Sequence, residues 1–397
     1  MRNLLKLSDC KINLFVFILC LVIYFVFEAS YSVDSLRYAY AGMQLVEKIF
    51  PNILEPNISS KLSVTATFHE NIDYSFPRRE FFTIIPNLIF YCLSILFKDS
   101  LDYLIIINLI IYSLIFNYCT KFYKFNDNVK YFLFLSFLFF GHYQITGWNI
   151  KILPEIMYFC TLIFFLIKLL NYKKTNIGDL LVLFFLSLSC FLIRPQGLVF
   201  FLITLLIIFA KKIFLFNINK YILYLFIYNL FFIPFLLFLD LNDFYNVPII
   251  SIKNTGLSDG AIISGWINYY NGKLIFQEVR FLDKQFDFGQ SYNYFDLLKI
   301  TSYRLFYFIN PYKYYLSIYV NLWNIIYFSI IYIVAIKFFF ESSDNLKKNL
   351  SIFLITSILS FHLFFPVTGA FRYQLSLIAI IFVLNFEYLY IRLKKDE

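Results

Sequence analysis

The sequence predicts an all-α polytopic membrane protein of about 10–11 transmembrane helices, with two long extracytoplasmic loops that contain short amphipathic helices. Three observations predict it. Hydrophobic residues make up 60% of the 397-residue chain and the mean hydropathy is +0.71, where a soluble domain is ~45–50% apolar. Apolar runs of about 15–20 residues recur from end to end. The basic residues sit in short loops between those runs, as orienting flanks of membrane helices do. The net charge of +9 is therefore an orientation signal, and no nucleic-acid partner is expected.

In order, the N-terminus MRNLLKLSDCK is basic and leads into an apolar run at 12–29, read as an uncleaved first span. Further apolar segments lie at 81–97, 103–120, 131–147, 155–170, 180–193, 197–210, 221–239, 313–340, 350–366 and 375–391. Polar stretches at 30–80 and 240–312 interrupt them. Strict alternation of every segment would put Lys121, Lys124, Lys130, Lys173 and Lys174 outside. Pro86 and Asn87 near the start of 81–97 suit a re-entrant or interfacial helix instead. The alternative segment for that role is 131–147, with His142, Gln144 and Gly147. With 81–97 not crossing, about ten crossings remain and both termini are cytoplasmic. Six inside segments then hold three Lys or Arg each, and three short outside loops hold one each: Lys151, Arg194 and Arg372. The chain reads as one membrane domain over 1–397. It comprises an N-terminal transmembrane module at 1–239 that includes the outer loop 30–80, a second outer loop at 240–312, and C-terminal helices at 313–397. The expected location is a bacterial inner (plasma) membrane.

This topology sends Asp34, Glu155, Arg194 and Arg372 to the outer face, each at the end of a span, and leaves mostly lysines inside. Polar chemistry is expected on the outer side only. Asp34 opens a segment with apolar residues at Leu36, Tyr40, Met43, Val46 and Phe50, spaced like one face of a surface helix. It is either the N-cap of that helix or a carboxylate at the water–lipid boundary that can take a proton from an acceptor hydroxyl. Arg194, in FLIRPQGLVFF, lies at a tight connection made by Pro195 and Gly197. An arginine between apolar runs needs a partner or a task. It is a snorkelling residue or a forked donor for a phosphate or pyrophosphate. Arg372 and Tyr373, in TGAFRYQLSL, read as an interface anchor or a second such donor. Glu155, after Pro154, suits a helix start through the dipole alone. His69, Asp73, Arg78, Arg79 and Glu80 form the dense polar cluster of the first loop, either a solvated face or a lipid-phosphate site.

Other chemistries find little support. Three histidines, His69, His142 and His362, offer no His-based metal or catalytic arrangement. The six cysteines form no CxxC pair, so neither a disulfide framework nor a zinc site is expected. Glycine-rich phosphate loops and nucleotide fingerprints are missing, which argues against a cytosolic nucleotide donor. The 54 Phe and 33 Tyr fit the codon bias of an AT-rich genome, so a Phe-rich stripe carries little weight.

The layout resembles the GT-C superfamily of integral-membrane glycosyltransferases. The residues that carry the resemblance are Asp34, Tyr38 and Gly42 in VDSLRYAYAG after the first span, Arg194-Pro195 with Gly197 mid-chain, Glu155 opening a span, and Arg372-Tyr373 before the last span. It implies an inverting transfer of a sugar from a polyprenyl-phosphate or pyrophosphate donor to a glycan, lipid or protein acceptor at the extracytoplasmic face. Asp34 would be the catalytic base, and Arg78, Arg79, Arg194 and Arg372 the donor-phosphate ligands. Glu155, Tyr38, His69 and Tyr373 are secondary candidates. Membrane lipids are the other expected partners. No cofactor is implied with certainty, and no metal ligand is assigned. Many members carry an acid after the first Asp, and Ser35 stands there, so a divalent ion is not indicated. No large soluble C-terminal domain is seen. Trp266, Tyr269 and Tyr270 in the second loop would stack on sugars or lie at the interface. The alternatives are a polymerase or ligase of lipid-linked glycans, separable by a product ladder, and a lipid-linked-glycan transporter or flippase, for which mid-bilayer charges and paired broken helices are the expected marks.

Overall fold

A computed structural model describes residues 33–47, 83–96, 103–147, 154–172, 177–194, 196–209, 308–312, 317–364 and 371–396, the strands 267–270 and 273–276, and the isolated residues 18, 22 and 50. Almost everything described is helical. The helices are α1 (Val33–Glu47), α2 (Ile84–Leu96), α3 (Tyr103–Phe122), α4 (Val129–Phe140), α5 (Tyr143–Gly147), α6 (Glu155–Leu170), α7 (Ile177–Ile193), α8 (Gly197–Phe209), α9 (Ile318–Glu341), α10 (Asn345–Phe364) and α11 (Phe371–Asp396). Among the described residues three helices are long and apolar enough to cross a membrane: α3, α9 and the stretch Gln374–Asp396 of α11. Both segments considered for the non-crossing role are short. The α2 helix has 13 residues and α4 has 12, about 18–20 Å of rise against a hydrocarbon core of about 30 Å. The stretch 131–147 is not one helix, because α4 stops at Phe140 with Gly141 as its cap.

The chain divides into two compact units. The first holds residues up to Phe209 with Ser329–Ser343 and Ala379–Glu397. Within it α1 packs on α2, α2 meets α3 and α7, α3 meets α6, and α6 meets α7, which in turn packs on α8. On α6 nearly every face is buried, from Glu155 to Leu170, as expected of a helix that is apolar all round. The aromatic residues form the core here rather than a compositional background. Phe116 meets Phe132 and Phe139 edge-on, Phe159 meets Phe382 edge-on, and Phe139 stacks on Phe386. Such pairs add about 0.5–1.5 kcal/mol each beyond their buried area. Outward faces remain apolar, with Ile106, Ile110 and Leu114 of α3 and Leu181, Val182 and Phe185 of α7 exposed. Against hydrocarbon such faces carry no penalty.

The α1–α2 contact rests on small residues. Ala39 is fully buried, and a Cβ on Gly42 would lie 2.0 Å from the Asn87 carbonyl oxygen and 2.6 Å from the Tyr91 Cβ. The absent side chain lets the two backbones touch. Between α3 and α4 the chain reverses through Lys124, at φ 57°. Asn128 then caps α4, its side chain accepting from the Lys130 amide at 3.0 Å.

The second unit holds Ala210–Phe328 and Asp344–Ile378. Asp344 Oδ1 accepts from the Lys347 amide at 3.0 Å and caps α10, and the Gln374 side-chain amide donates to the Phe308 carbonyl. The second polar stretch was expected to carry amphipathic helices. Most of that stretch lies outside the described residues; within it β1 (Ile267–Tyr270) and β2 (Lys273–Phe276) pair antiparallel, with Tyr270 opposite Lys273, and residues 308–312 are also described.

Gly42→Ala is expected to lower stability by about 1–3 kcal/mol, read as a reduced thermal transition of the detergent-solubilised protein, while Ala41→Ser leaves it unchanged.

Candidate functional site

The residues singled out in the sequence fall into three groups. His69, Arg78 and Arg79 lie outside the described residues. Asp34, Arg372 and Tyr373 lie in described helices, but their side chains do not. Tyr38, Glu155 and Arg194 are described in full.

Asp34 is the second residue of α1, because the helix begins at Val33. It therefore stands in the first turn rather than at the N-cap, which was one of the two positions the sequence offered, and a first-turn carboxylate is favoured by the dipole. One turn on, the Tyr38 ring sits 5.2 Å from Phe90 of α2. One turn further, Gly42 touches α2 at Asn87 and Tyr91. Positions 34, 38 and 42 are spaced by four and so follow one stripe of the helix. Tyr38 and Gly42 of that stripe lie against α2.

Glu155 and Arg194, assigned separately in the sequence, meet in the structure. Glu155 begins α6 directly after Pro154, whose carbonyl accepts from the Tyr158 amide at 3.0 Å. Arg194 follows the last residue of α7, and its amide continues the helical ladder to the Cys190 carbonyl at 3.0 Å. The Gly197 amide then closes on the Arg194 carbonyl at 2.8 Å and α8 begins. A Cβ on Gly197 would lie 2.1 Å from the Cys190 carbonyl oxygen, so the hairpin closes only with glycine there. This geometry holds Arg194 at the tip of the α7–α8 hairpin, and α6 packs against α7.

The Arg194 Nη2 lies 2.5 Å from Glu155 Oε1, a charge-assisted contact between two buried groups. The Arg194 side chain is 9% exposed and that of Glu155 is 1% exposed, so the carboxylate is the more deeply buried of the two. Glu155 Oε2 is buried and has no hydrogen-bond partner among the described residues. A buried ion pair gives little net stability, but losing one partner strands the other.

A second polar centre lies at the far end of α6, about 24 Å along its axis, and the sequence reading missed it. Glu387 of α11 is buried. Its Oε1 accepts from the Tyr123 hydroxyl and from the Asn171 side-chain amide, both at 2.9 Å. Nearby on the same helix, Arg392 pairs with Glu341 of α9 at 2.5 Å and Lys395 approaches it at 3.6 Å. The Tyr131 hydroxyl donates to Asp396 at 2.5 Å. Polar interactions are therefore not confined to one end of the bundle. The signal available was NFEYLYIR itself, an acid within an apolar helix, which implies a partner.

Burial, followed by the Glu387 carboxylate, pushes the Tyr123 phenol well above its usual 10.0. The folded protein keeps this proton while the unfolded chain gives it up near pH 10. Stability from Tyr123 is thus complete below about pH 10 and is lost as pH rises beyond it.

Among the described residues no group of three His, Cys, Asp or Glu lies together as a metal site would require. Cys119, Cys160 and Cys190 are buried and Cys92 is exposed, all as free thiols. No protein-family model, curated protein or solved structure matches the chain.

Two outcomes are expected. Glu155→Ala or Arg194→Ala alone lowers stability by about 3–5 kcal/mol, while Glu155→Met with Arg194→Leu restores most of it, by thermal denaturation in detergent. Tyr123→Phe flattens the fall of the thermal transition above about pH 10 relative to wild type.

Proposed function

We infer that the chain is an integral-membrane glycosyltransferase that moves a sugar from a polyprenyl-phosphate or pyrophosphate donor to an acceptor hydroxyl on the extracytoplasmic face. The acceptor oxygen attacks the anomeric carbon and its proton passes to Asp34. The bond from that carbon to the phosphate oxygen breaks, and the phosphate leaves with the electron pair. The guanidiniums assigned to the growing charge on the leaving phosphate are Arg78, Arg79, Arg194 and Arg372. His69 and Tyr373 remain supporting candidates around donor and acceptor. About ten crossings with both termini cytoplasmic belong to the same proposal.

The observation that carries the reading is the stripe Asp34, Tyr38, Gly42. It places an acid in the first turn of a helix whose next two turns are fixed against α2. A carboxylate with a fixed backbone at the start of an amphipathic helix has the preorganisation a base needs. The support from Arg194 is its location at a hairpin tip, against a more deeply buried counter-ion.

Asp34→Asn is expected to lower transfer by about two to four orders of magnitude, with membrane insertion and the thermal transition unchanged. Transfer would be followed as movement of radiolabelled sugar out of the lipid-linked pool in vesicles. Wild-type transfer by Asp34→Asn refutes the assignment.

A further inference from the structure

Around the Glu387 centre the ends of α3, α6 and α11 come together with the start of α4. Four rings form one run there. Tyr390 meets Tyr123 edge-on at 5.7 Å, Tyr123 stacks on Phe125 at 5.5 Å, and Phe125 stacks on Tyr131 at 6.1 Å. A lysine lies over the ring at each end of the run. Lys394 Nζ is 4.4 Å from the Tyr390 centroid, and Lys130 Nζ is 5.3 Å from that of Tyr131. Tyr123, Phe125 and Tyr131 are buried, whereas Lys124, Lys130 and Lys394 are exposed. The ion pairs described at this end use Arg392 and Lys395, both on Glu341, and Asp396 accepts from the Tyr131 hydroxyl.

Lys124 stands between Tyr123 and Phe125 with φ 57° and ψ 30°. Glycine enters this left-handed region freely, and a lysine there is disfavoured. The reversal between α3 and α4 has no need of that side chain, so the strained residue points to a use for its charge. The surface beside these amines is apolar. On α3 the exposed residues Ile106, Ile110 and Leu114 follow one stripe that reaches exposed Lys121 two turns later. On α4 Leu133 is exposed one turn after Lys130. A soluble anion would meet only the amines, while a phospholipid matches both the amines and the stripes.

We propose that this end of the first unit is a binding surface for anionic phospholipid. Lys124, Lys130 and Lys394 hold the phosphodiester headgroup, and the outward stripes of α3 and α4 lie along the acyl chains. Lysines at a bilayer surface attract anionic lipid. The ring faces orient two of the ammoniums without cancelling their charge, so both remain able to meet a headgroup. The surface stands apart from the proposed transfer site, and nothing in it depends on that reaction.

The test follows the thermal transition of the full-length protein in nanodiscs of phosphatidylcholine, with and without part of it replaced by phosphatidylglycerol. Phosphatidylglycerol is expected to raise the wild-type transition by at least about 2 °C, and high salt should weaken that rise. Lys124→Gly with Lys130→Gln and Lys394→Gln should lose most of it. Lys337→Gln, which removes an exposed charge from α9, should keep it. Lys124→Gly alone separates charge from strain. Its transition in phosphatidylcholine should exceed that of wild type, because the left-handed residue is now glycine, while its response to phosphatidylglycerol should be smaller. It also carries the test if the triple variant does not fold. A wild-type response in both Lys124→Gly and the triple variant overturns the proposal. So does an equal loss in Lys337→Gln, which would show a general effect of charge. The same rise from inorganic phosphate in phosphatidylcholine discs, at matched ionic strength, would assign a soluble anion and overturn it as well. The readout needs no turnover, so its outcome is independent of whether Asp34 proves essential.

Discussion

The buried pair between Glu155 and Arg194 constrains everything around it. A guanidinium cannot stay in an apolar interior without an acceptor, and the acceptor must come from a neighbouring helix. That requirement fixes the start of α6 against the tip of the α7–α8 hairpin. The hairpin can close only because residue 197 has no side chain to strike the Cys190 carbonyl. Pro154 before Glu155 and Gly197 after Arg194 are thus parts of one arrangement: a helix start and a tight turn, each set where its charged neighbour needs it.

The rest of the first unit follows from how an apolar chain packs when the hydrophobic effect does not select partners. Close approach at Gly42, edge-on aromatic rings around Phe116 and Phe139, and hydrogen bonds from polar side chains take over that selection. Asn385 shows the last of these, donating to the Ile331 carbonyl of α9 at 3.0 Å and to its own helix at 2.7 Å. Glu387 does the same at the opposite end of α6 from the ion pair, joining α11 to the turn after α3 and to the end of α6. Both ends of α6 are therefore pinned by a buried carboxylate. One meets a buried arginine, and the other accepts from neutral donors that include Tyr123 and Asn171.

Much of this was legible in the sequence, and for identifiable reasons. Most described helices fall within the apolar runs, although the run 131–147 breaks at Gly141 and the runs at 12–29 and 221–239 lie almost wholly outside the described residues; the tight connection at Arg194 was read from Pro195 and Gly197. Arg194 was expected to need a partner or a task. What could not be read was that Glu155 is the partner, because 39 residues separate them and pairing depends on α6 lying beside α7. The aromatic core was discounted as codon bias, since composition cannot tell a packed ring from a lipid-facing one. The pairing of 267–270 with 273–276 was not read from the sequence. The Glu387 centre was missed because a single acid near the end of an apolar run looks like an interfacial residue until Tyr123 and Asn171 are seen against it.

The central claim is that the carboxylate at position 34 faces the exterior while the basic C-terminal end of α11 faces the cytoplasm. Side-specific labelling tests it most directly. In a chain whose native cysteines are changed to serine, single cysteines at 34 and at 395 are exposed in intact cells to a membrane-impermeant maleimide. The expected result is that position 34 reacts from outside and position 395 reacts only after the membrane is opened. Labelling of both from the same side, or of 34 only after permeabilisation, would contradict it.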